Sequence, residues 1–568
     1  MRAEGRALRG VVALFLFGGL VFPIFAGLAQ TARAAFGVMP AIGADNYNLA
    51  PWQQLFALPG FGTSLRLTLV TGLGSSLLAL VLATGFCAVA HGRMSNAGMA
   101  RLLTPFLAVP HAALAIGLAF LLAPSGWIAR ALSPWATGWI YPPDLATVND
   151  GNGLALIVGL LVKEVPFLLL VIGSALGQMP VRQHLAAGRA LGYGRGLVWI
   201  KIIMPQVYPQ IRLPLFVVLA YALSVVDMAI VLGPSNPPVL AVAVTRWYAA
   251  PDTALILPAS AAALLQVALV AGAVLAWLAG ERALRAAGLW WLRQGGRGQS
   301  SEPGLKLATA IVLGLMILGA LSLAALLVWS FAWRWSFPQV LPQSWSLKTW
   351  MTPGNGWGRA LGTTLVLGLA TTALSLALAV AWLEGEDRAR RTRASWAGVL
   401  IYLPLLLPQI GFLYGLNILF LGMGISGGLS AVIWAQMLFV FPYVMIALSD
   451  PWRALDVQHV RAAAALGASP ARRLFAVKLP MLLRPLATAA AIGFAVSVAQ
   501  YLPTLFMGAG RVVTLTTEAV TLSSGSDRRV VGVYAVLQAA LPFVGYGLAF
   551  VLPAVVYRNR RGLQGGGA

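Results

Sequence analysis

Twelve stretches of roughly twenty or more mostly apolar residues divide the chain, at about 10–30, 63–90, 102–123, 153–177, 211–233, 255–279, 307–331, 359–383, 397–420, 429–449, 486–507 and 531–556. A helix of about twenty such residues crosses the hydrocarbon core of a bilayer, and a helix satisfies its own backbone polar groups there. The pattern predicts an all-α integral membrane protein with about twelve transmembrane helices. Composition agrees, because only 10% of the residues are charged, against about 25% in an ordinary soluble domain.

The charge balance is strongly basic, with 39 Lys and Arg against 16 Asp and Glu. Such an excess could suit nucleic acid, but the placement of the charges points elsewhere. If the N-terminus is cytoplasmic, most of them fall in cytoplasmic segments. They include Arg2, Arg6 and Arg9, then Arg282, Arg285, Arg293 and Arg297, then Arg388, Arg390, Arg391 and Arg393, and finally Arg558, Arg560 and Arg561. Lys- and Arg-rich loops stay inside the cell. The charge is therefore a topology signal for a multi-pass protein in a lipid bilayer with both termini cytoplasmic, and no nucleic-acid partner is expected. Residues 1–30 also have the look of a secretory signal, with small residues near Ala35. Their counterpart at 307–331 lies mid-chain, so an uncleaved first helix is expected. The single cysteine, Cys87, lies in an apolar run and is expected to be a small buried residue. Four scattered histidines support no metal site.

The chain also repeats itself. Phe61-Gly62 and Thr68-Leu69-Val70 recur as Trp357-Gly358 and Thr364-Leu365-Val366. Pro110-His111 with Gly117 recurs as Pro408-Gln409 with Gly415, and Pro166-Phe167 as Pro442-Tyr443. Ser224 and Asp227 match Ser497 and Gln500. Order and span are kept throughout, which predicts two parallel six-helix halves, about 1–285 and 305–568. A cytoplasmic linker at 286–304 joins them, and its Gly and Ser residues predict flexibility.

The most specific repeat lies after the fourth and tenth spans. Ala186, Ala187 and Gly188 lead to Gly192 and then Pro205; Arg461, Ala462 and Ala463 lead to Gly467 and then Pro480. The Gly-to-Pro spacing is thirteen residues in both copies, and a Gln-His pair precedes each, at Gln183-His184 and Gln458-His459. The pattern predicts a short helix, a turn at the Gly, a second helix, and a Pro leading into the next span. Val457, Val460 and Ala464 share one helical face and form an apolar strip suited to docking. A helix resting on lipid headgroups, helped by Arg472, Arg473 and Lys478, is the competing reading. Two copies with one spacing favour a paired docking surface for a two-fold-related partner.

These segments resemble the "EAA" loop of binding-protein-dependent ABC importer permeases: Glu-Ala-Ala, three residues, Gly, and a Pro thirteen residues on. The fused two-half arrangement is similar to the permeases of iron(III)- and thiamine-type importers and to the YnjC type. The resemblance implies the ABC importer permease (MetI-like) fold in the cytoplasmic (inner) membrane. It further implies that residues 186–192 and 461–467 couple to cytoplasmic ABC ATPases, two copies in all, and that an extracytoplasmic substrate-binding protein delivers the solute. Both copies lack the Glu, which is replaced by Ala186 and Arg461, so any contact made by that carboxylate is lost. The dipeptide Gly-Lys never occurs, which leaves no phosphate-binding loop. ATP is therefore expected to be used by partner subunits, with no cofactor bound by this chain.

Ionisable residues inside spans are costly and usually face a bundle interior or a cavity. Asp227, deep in span five, with Gln500 at the matching place in span eleven, is expected either to line the translocation path or to hold helices together. Lys163-Glu164 reads equally as an internal charge pair or a substrate contact, and His111 as a packing residue. No Ser-His-Asp or His-Glu-x-x-His arrangement is present, so no catalytic residues are expected. The alternative to the importer permease is a twelve-helix secondary transporter driven by an ion gradient, but that architecture does not require the doubled Gly-to-Pro loop.

Overall fold

A computed structural model describes residues 2–91, 96–293, 302–352, 356–389, 395–425, 427–525 and 527–558. Among the described residues, ten helical stretches are long and apolar enough to cross a membrane: Arg9–Ala35, Phe61–Ala90, His111–Leu132, Leu154–Leu176, Arg195–Ser224, Thr253–Arg293, Glu302–Phe331, Trp357–Ala389, Leu429–Arg453 and Arg528–Val556. Two further pairs, Leu400–Leu406 with Ile410–Gly422 and Pro470–Met481 with Leu483–Ala499, bend by 109° and 78° and bring the total to as many as twelve. The fourth and tenth spans, Leu154–Leu176 and Leu429–Arg453, are the most enclosed, each with 72% of its apolar window buried, and form the centre.

Several helices break where the sequence shows proline. In the third span, Asn96–Ala108 stops and His111–Leu122 begins after Pro110, whose backbone is extended. The ninth span, Ser395–Leu406 followed by Ile410–Gly422, breaks around Pro408. Proline lacks a backbone N–H and pushes the residue before it out of helical geometry. The fifth and eleventh spans end differently. Met204–Ser224 gives way to extended Val225 and then a short helix, Asp227–Leu232. Leu483–Ala499 gives way to extended Gln500 and then Leu502–Gly508.

Two nine-residue helices follow these breaks, Leu240–Tyr248 and Leu515–Ser523. Each is tied to the second span of its own half through the threonine of the repeated Thr-Leu-Val. The Leu240 N–H donates to Thr68 Oγ1 at 2.8 Å, and the Leu515 N–H donates to Thr364 Oγ1 at 2.9 Å. Each hydroxyl in turn donates four residues back along its own helix, to Ser64 O and Ala360 O. The first N–H groups of a helix have no internal partner, and these two threonines supply one.

The first helix of each half packs across onto the other half. Gly27 in the first span meets the Phe412 carbonyl, and Gly415 meets Gly27 O and Thr31. Conversely, a Cβ on Gly117 would stand 2.5 Å from Ser322 O in the seventh span. A further cross-tie involves Arg130, which donates to Ser336 O at 2.9 Å and Gln339 O at 3.2 Å, with its guanidinium 4.8 Å from the Trp335 ring centre.

The interval expected as a flexible linker, 286–304, differs from that expectation at both ends. One helix, Ile256–Arg293, runs well past residue 286, because Gly288 is the sole weak helix former in its last turns. The next helix starts at Glu302. Residues 294–301 lie outside the described residues, as do Arg297, Arg390, Arg391, Arg393, Arg560 and Arg561.

Gly117→Val or Gly415→Val should lower the melting temperature in detergent, since overpacking typically costs about 1–3 kcal/mol. Gly74→Val, at a helix position with open space around it, should leave the melting temperature within about 1 °C of wild type. Equal behaviour of all three variants would contradict the close cross-packing.

Candidate functional site

The doubled segments fold alike. Val181–Ala190 and Val457–Ala465 are short helices ending at Leu191-Gly192 and Leu466-Gly467. Both glycines are left-handed, with φ of 78° and 80°. Around them Gly192 N–H donates to Arg189 O and Tyr193 N–H to Gly188 O; Gly467 N–H donates to Ala464 O and Ala468 N–H to Ala463 O. This is the Schellman closure, in which glycine carries the positive φ and the free carbonyls of the last turn are satisfied. A second helix begins at Arg195 in one copy and Pro470 in the other, and each widens into a π turn, Trp199–Ile203 and Leu474–Lys478. The π turns end two residues before Pro205 and Pro480. Each proline lacks the N–H that would bond the carbonyl four residues back, at Lys201 and Ala476, so the helix rewinds locally.

The outer faces of these helices are uncovered. Ala186, Ala187, Arg461 and Ala462 are exposed, Ala463 is half-buried, and Gly188 is buried where a side chain would strike Val198. Gly192 is half-buried, Gly467 and Pro205 are exposed, and Pro480 is half-buried. In the apolar strip, Val457 and Ala464 are exposed and Val460 is half-buried. The largest exposed apolar groups at the turns are Leu191, at 66%, and Leu466, at 89%. These occupy matching places just before each glycine, and sequence reasoning passed over them.

Each segment is anchored to the end of the second span of its own half, by different chemistry. Arg195 donates to the carbonyls of Ala88 and His91, capping Phe61–Ala90. In the second half Lys478 Nζ lies 2.6 Å from Glu384 Oε2 and 2.5 Å from Asp387 Oδ2, at the end of Trp357–Ala389. Arg388 pairs with Glu384 at 2.7 Å and Arg453 with Glu386 at 3.0 Å, while Trp452 Nε1 donates to Asp387. The sequence did carry a signal for this network: three of the sixteen acidic residues fall within 384–387.

Inside the membrane, Lys163 turns its ammonium to the broken third span. It donates to Phe106 O at 2.8 Å, Leu107 O at 3.3 Å and Val109 O at 2.5 Å, carbonyls that lose helix partners at Pro110. Neither oxygen of the adjacent Glu164 has a hydrogen-bond partner among the described residues, although the residue is buried. Asp227 lies just beyond the break in the fifth span, in the first turn of Asp227–Leu232, where it accepts from Tyr221 Oη at 3.4 Å. Its structural counterpart is not Gln500. The interval of 275 residues that carries Gly192 to Gly467 and Pro205 to Pro480 also carries extended Val225 to extended Gln500, and Asp227 to Leu502. The serines Ser224 and Ser497 are 273 residues apart, two short of that interval. Around Gln500 the second half uses neutral groups: Gln436 accepts from Ser497 Oγ at 2.5 Å and donates to Thr504 Oγ1 at 3.0 Å. Cys87 is buried, as expected.

With this geometry established, the comparisons with known proteins decide the family. The family described as "Binding-protein-dependent transport system inner membrane component" matches residues 381–558. The inner membrane ABC transporter permease protein YnjC of Escherichia coli (strain K12) is 31% identical over 559 residues, covering 97% of this chain and 98% of the relative. The chain belongs to the ABC importer permease family. The molybdenum transport system permease proteins ModB of Mycobacterium bovis and Mycobacterium tuberculosis are 32% identical over 194 residues, covering 31% of this chain and 70% of each relative. The protein is thus the multi-pass inner-membrane permease component of an ABC importer, a transport subunit and not a catalytic one. That sets aside the ion-driven secondary transporter.

The ion network of this permease makes a specific prediction. Lys478 and Glu384 are both about 5–7% exposed. Lys478→Met should destabilise the protein by about 3 kcal/mol, because it strips a buried carboxylate of its closest cation. The double variant Lys478→Met/Glu384→Gln should recover much of that loss. Additive losses in a double-mutant cycle on the melting temperature would show that the pair is not coupled.

Proposed function

We propose that the two Schellman-closed helices are the coupling elements of the permease, and that each seats in a cleft of a separate cytoplasmic ABC ATPase subunit. The observation that carries this is the matched pair of exposed tips, Leu191 and Leu466, each held at a left-handed glycine and each anchored to a transmembrane helix end. Exposed apolar side chains at fixed, repeated positions favour burial against a partner, and a central apolar anchor is the usual hot spot of such an interface. Ala186 and Arg461 stand where related loops carry Glu, and Ala187 and Ala462 follow them on the exposed helices. ATP is used by those partner subunits, and the absence of a Gly-Lys dipeptide supports that division of labour.

In this reading the Arg-rich face and both termini are cytoplasmic, and an extracytoplasmic substrate-binding protein delivers solute from the opposite side. Closure of two ATPase subunits pulls both coupling helices together. Arg195 and Lys478 pass the displacement to the second and eighth spans, whose threonines hold the short helices Leu240–Tyr248 and Leu515–Ser523. The halves then rearrange as rigid bodies around the path between them. The sequence division near residues 285 and 305 marks those halves in chain order.

The double variant Leu191→Asp/Leu466→Asp should insert normally and keep its melting temperature, since both side chains are already solvent-exposed. Its association with its partner ATPase should weaken about tenfold or more, equivalent to ~1.4 kcal/mol or more. Pull-down from detergent and transport-coupled ATPase activity in proteoliposomes both read this out. Wild-type association in the variant, or uptake by the permease alone, would overturn the assignment.

A further inference from the structure

The fifth and eleventh spans break beside matched carbonyls, and each break is held by a glutamine on the last span of its own half. Leu223 and Val498 lie two residues before extended Val225 and Gln500, and the interval of 275 residues relates them too. In a continuous helix their carbonyls would accept from the N–H groups of residues 227 and 502. The breaks remove those donors. Gln266 Nε2 donates to Leu223 O at 2.9 Å. Gln538 Nε2 donates to Thr516 Oγ1 at 2.7 Å, and that hydroxyl donates to Val498 O. The two glutamines each lie ten residues after the start of their helices, Ile256–Arg293 and Arg528–Val556.

The two holds are built from different parts. In the second half the hydroxyl belongs to the first turn of Leu515–Ser523, so one chain of hydrogen bonds joins the twelfth span, the short helix and the break. The same interval places Ala241 at the corresponding position of Leu240–Tyr248. Alanine has no hydroxyl, and Gln266 reaches the carbonyl directly. What repeats is the hold on the break, reached by two routes. Both glutamines are fully buried, and neither Oε1 has a hydrogen-bond partner among the described residues. Each therefore acts through its amide N–H alone. One hydrogen bond contributes little net stability, so such a hold can be released when the halves rearrange.

The breaks in turn position the junction of the halves. Asp227–Leu232, after the first break, packs against Leu515–Ser523 of the second half. In return Tyr248, at the end of Leu240–Tyr248, stacks on Tyr414 of the ninth span with ring centroids 3.6 Å apart and planes 16° apart. It also meets Phe506 of Leu502–Gly508 edge-on at 6.2 Å. Discontinuous membrane helices commonly border the solute path of a transporter.

We propose that Gln266 and Gln538, the latter through Thr516, are positioning residues for transport. Each latches the broken span of its own half in the arrangement seen here, and its release frees the short helices that meet across the junction. The latches touch no solute and act through those helices. They lie far along the chain from the docking segments and extend the permease reading to the interior of the membrane.

The test uses the full chain in nanodiscs, with the native thiol removed as Cys87→Ala and a reporter placed at a buried position of one short helix. Ala243→Cys (3% exposed) serves the first half and Ala519→Cys (0%) the second. Alkylation by N-ethylmaleimide reports how often each helix opens. Methionine fills much the same space as glutamine without the amide. Without ATPase, Gln266→Met should speed alkylation at position 243 about tenfold and leave that at 519 within about twofold. Gln538→Met and Thr516→Val should do the reverse, and Thr516→Ser, which keeps the hydroxyl, should match the parent. The serine and valine variants at 516 decide the matter should a glutamine variant fail to fold. In the parent protein assembled with its partner ATPase, ATP with vanadate should speed alkylation at both reporters severalfold. The proposal is overturned if the variants leave both rates unchanged, if each speeds both reporters equally, or if Thr516→Ser behaves as Thr516→Val. Unchanged rates with ATP and vanadate, in a complex that hydrolyses ATP, would overturn the release. The variant comparisons involve no ATPase, so their failure would leave the docking assignment standing, and failed docking would leave the latches standing.

Discussion

Every break in a membrane helix frees backbone groups that neither lipid nor water can satisfy, and this architecture depends on finding partners for them. An unpaired buried carbonyl costs about 1–3 kcal/mol, and a lone ammonium in hydrocarbon is costly as well. Lys163 relieves both penalties by placing its three donors on the carbonyls released at Pro110. Thr68 and Thr364 do the converse, offering hydroxyl oxygens to the leading N–H groups of two short helices. Arg195 caps the end of the second span in the same way. Much of the polar chemistry in this protein thus serves its own backbone.

The exchange of first helices ties the halves together. Gly27 against the Phe412 carbonyl and Gly117 against Ser322 O bring backbones closer than any side chain permits. A permease that must switch between inward- and outward-facing forms needs halves that move relative to one another without separating. The crossed helices supply the attachment, while the breaks near Val225 and Gln500 are the places where backbone already departs from helix. The halves are also unequal. One of the doubled segments is held by an arginine on carbonyls and the other by a buried lysine between two carboxylates. The first half places Lys163, Glu164 and Asp227 deep in the membrane, whereas the second closes its polar groups there through Gln436, Ser497 and Thr504.

Features governed by near neighbours in the chain were legible beforehand. Apolar runs foretold the spans, and the repeated Gly-to-Pro spacing foretold a helix, a turn at the glycine and a second helix in both doubled segments. Gly117 and Gly415 were matched as a pair, but nothing local says that each receives the first helix of the opposite half. A linker starting at 286 is too long, because a single glycine, Gly288, in an otherwise favourable run does not stop a helix. Asp227 was matched to Gln500 because serines two residues out of register happened to agree. The extended residues at 225 and 500 restore the correct interval.

Local patterns in the chain are enough to specify a helical membrane protein of about twelve spans, with two copies of one helix–turn–helix segment and no Gly-Lys phosphate-binding loop. Those conclusions follow from hydropathy, glycine's freedom at positive φ and proline's missing N–H, all of which act over a few residues. What each isolated charge does depends instead on the packing of helices far apart in the chain. Lys163 meets carbonyls 54 to 57 residues away, and Lys478 meets carboxylates 91 and 94 residues away. In a medium without water, the partner of a polar group is whatever packing brings within about 3 Å, and packing of distant helices is not written in any local stretch.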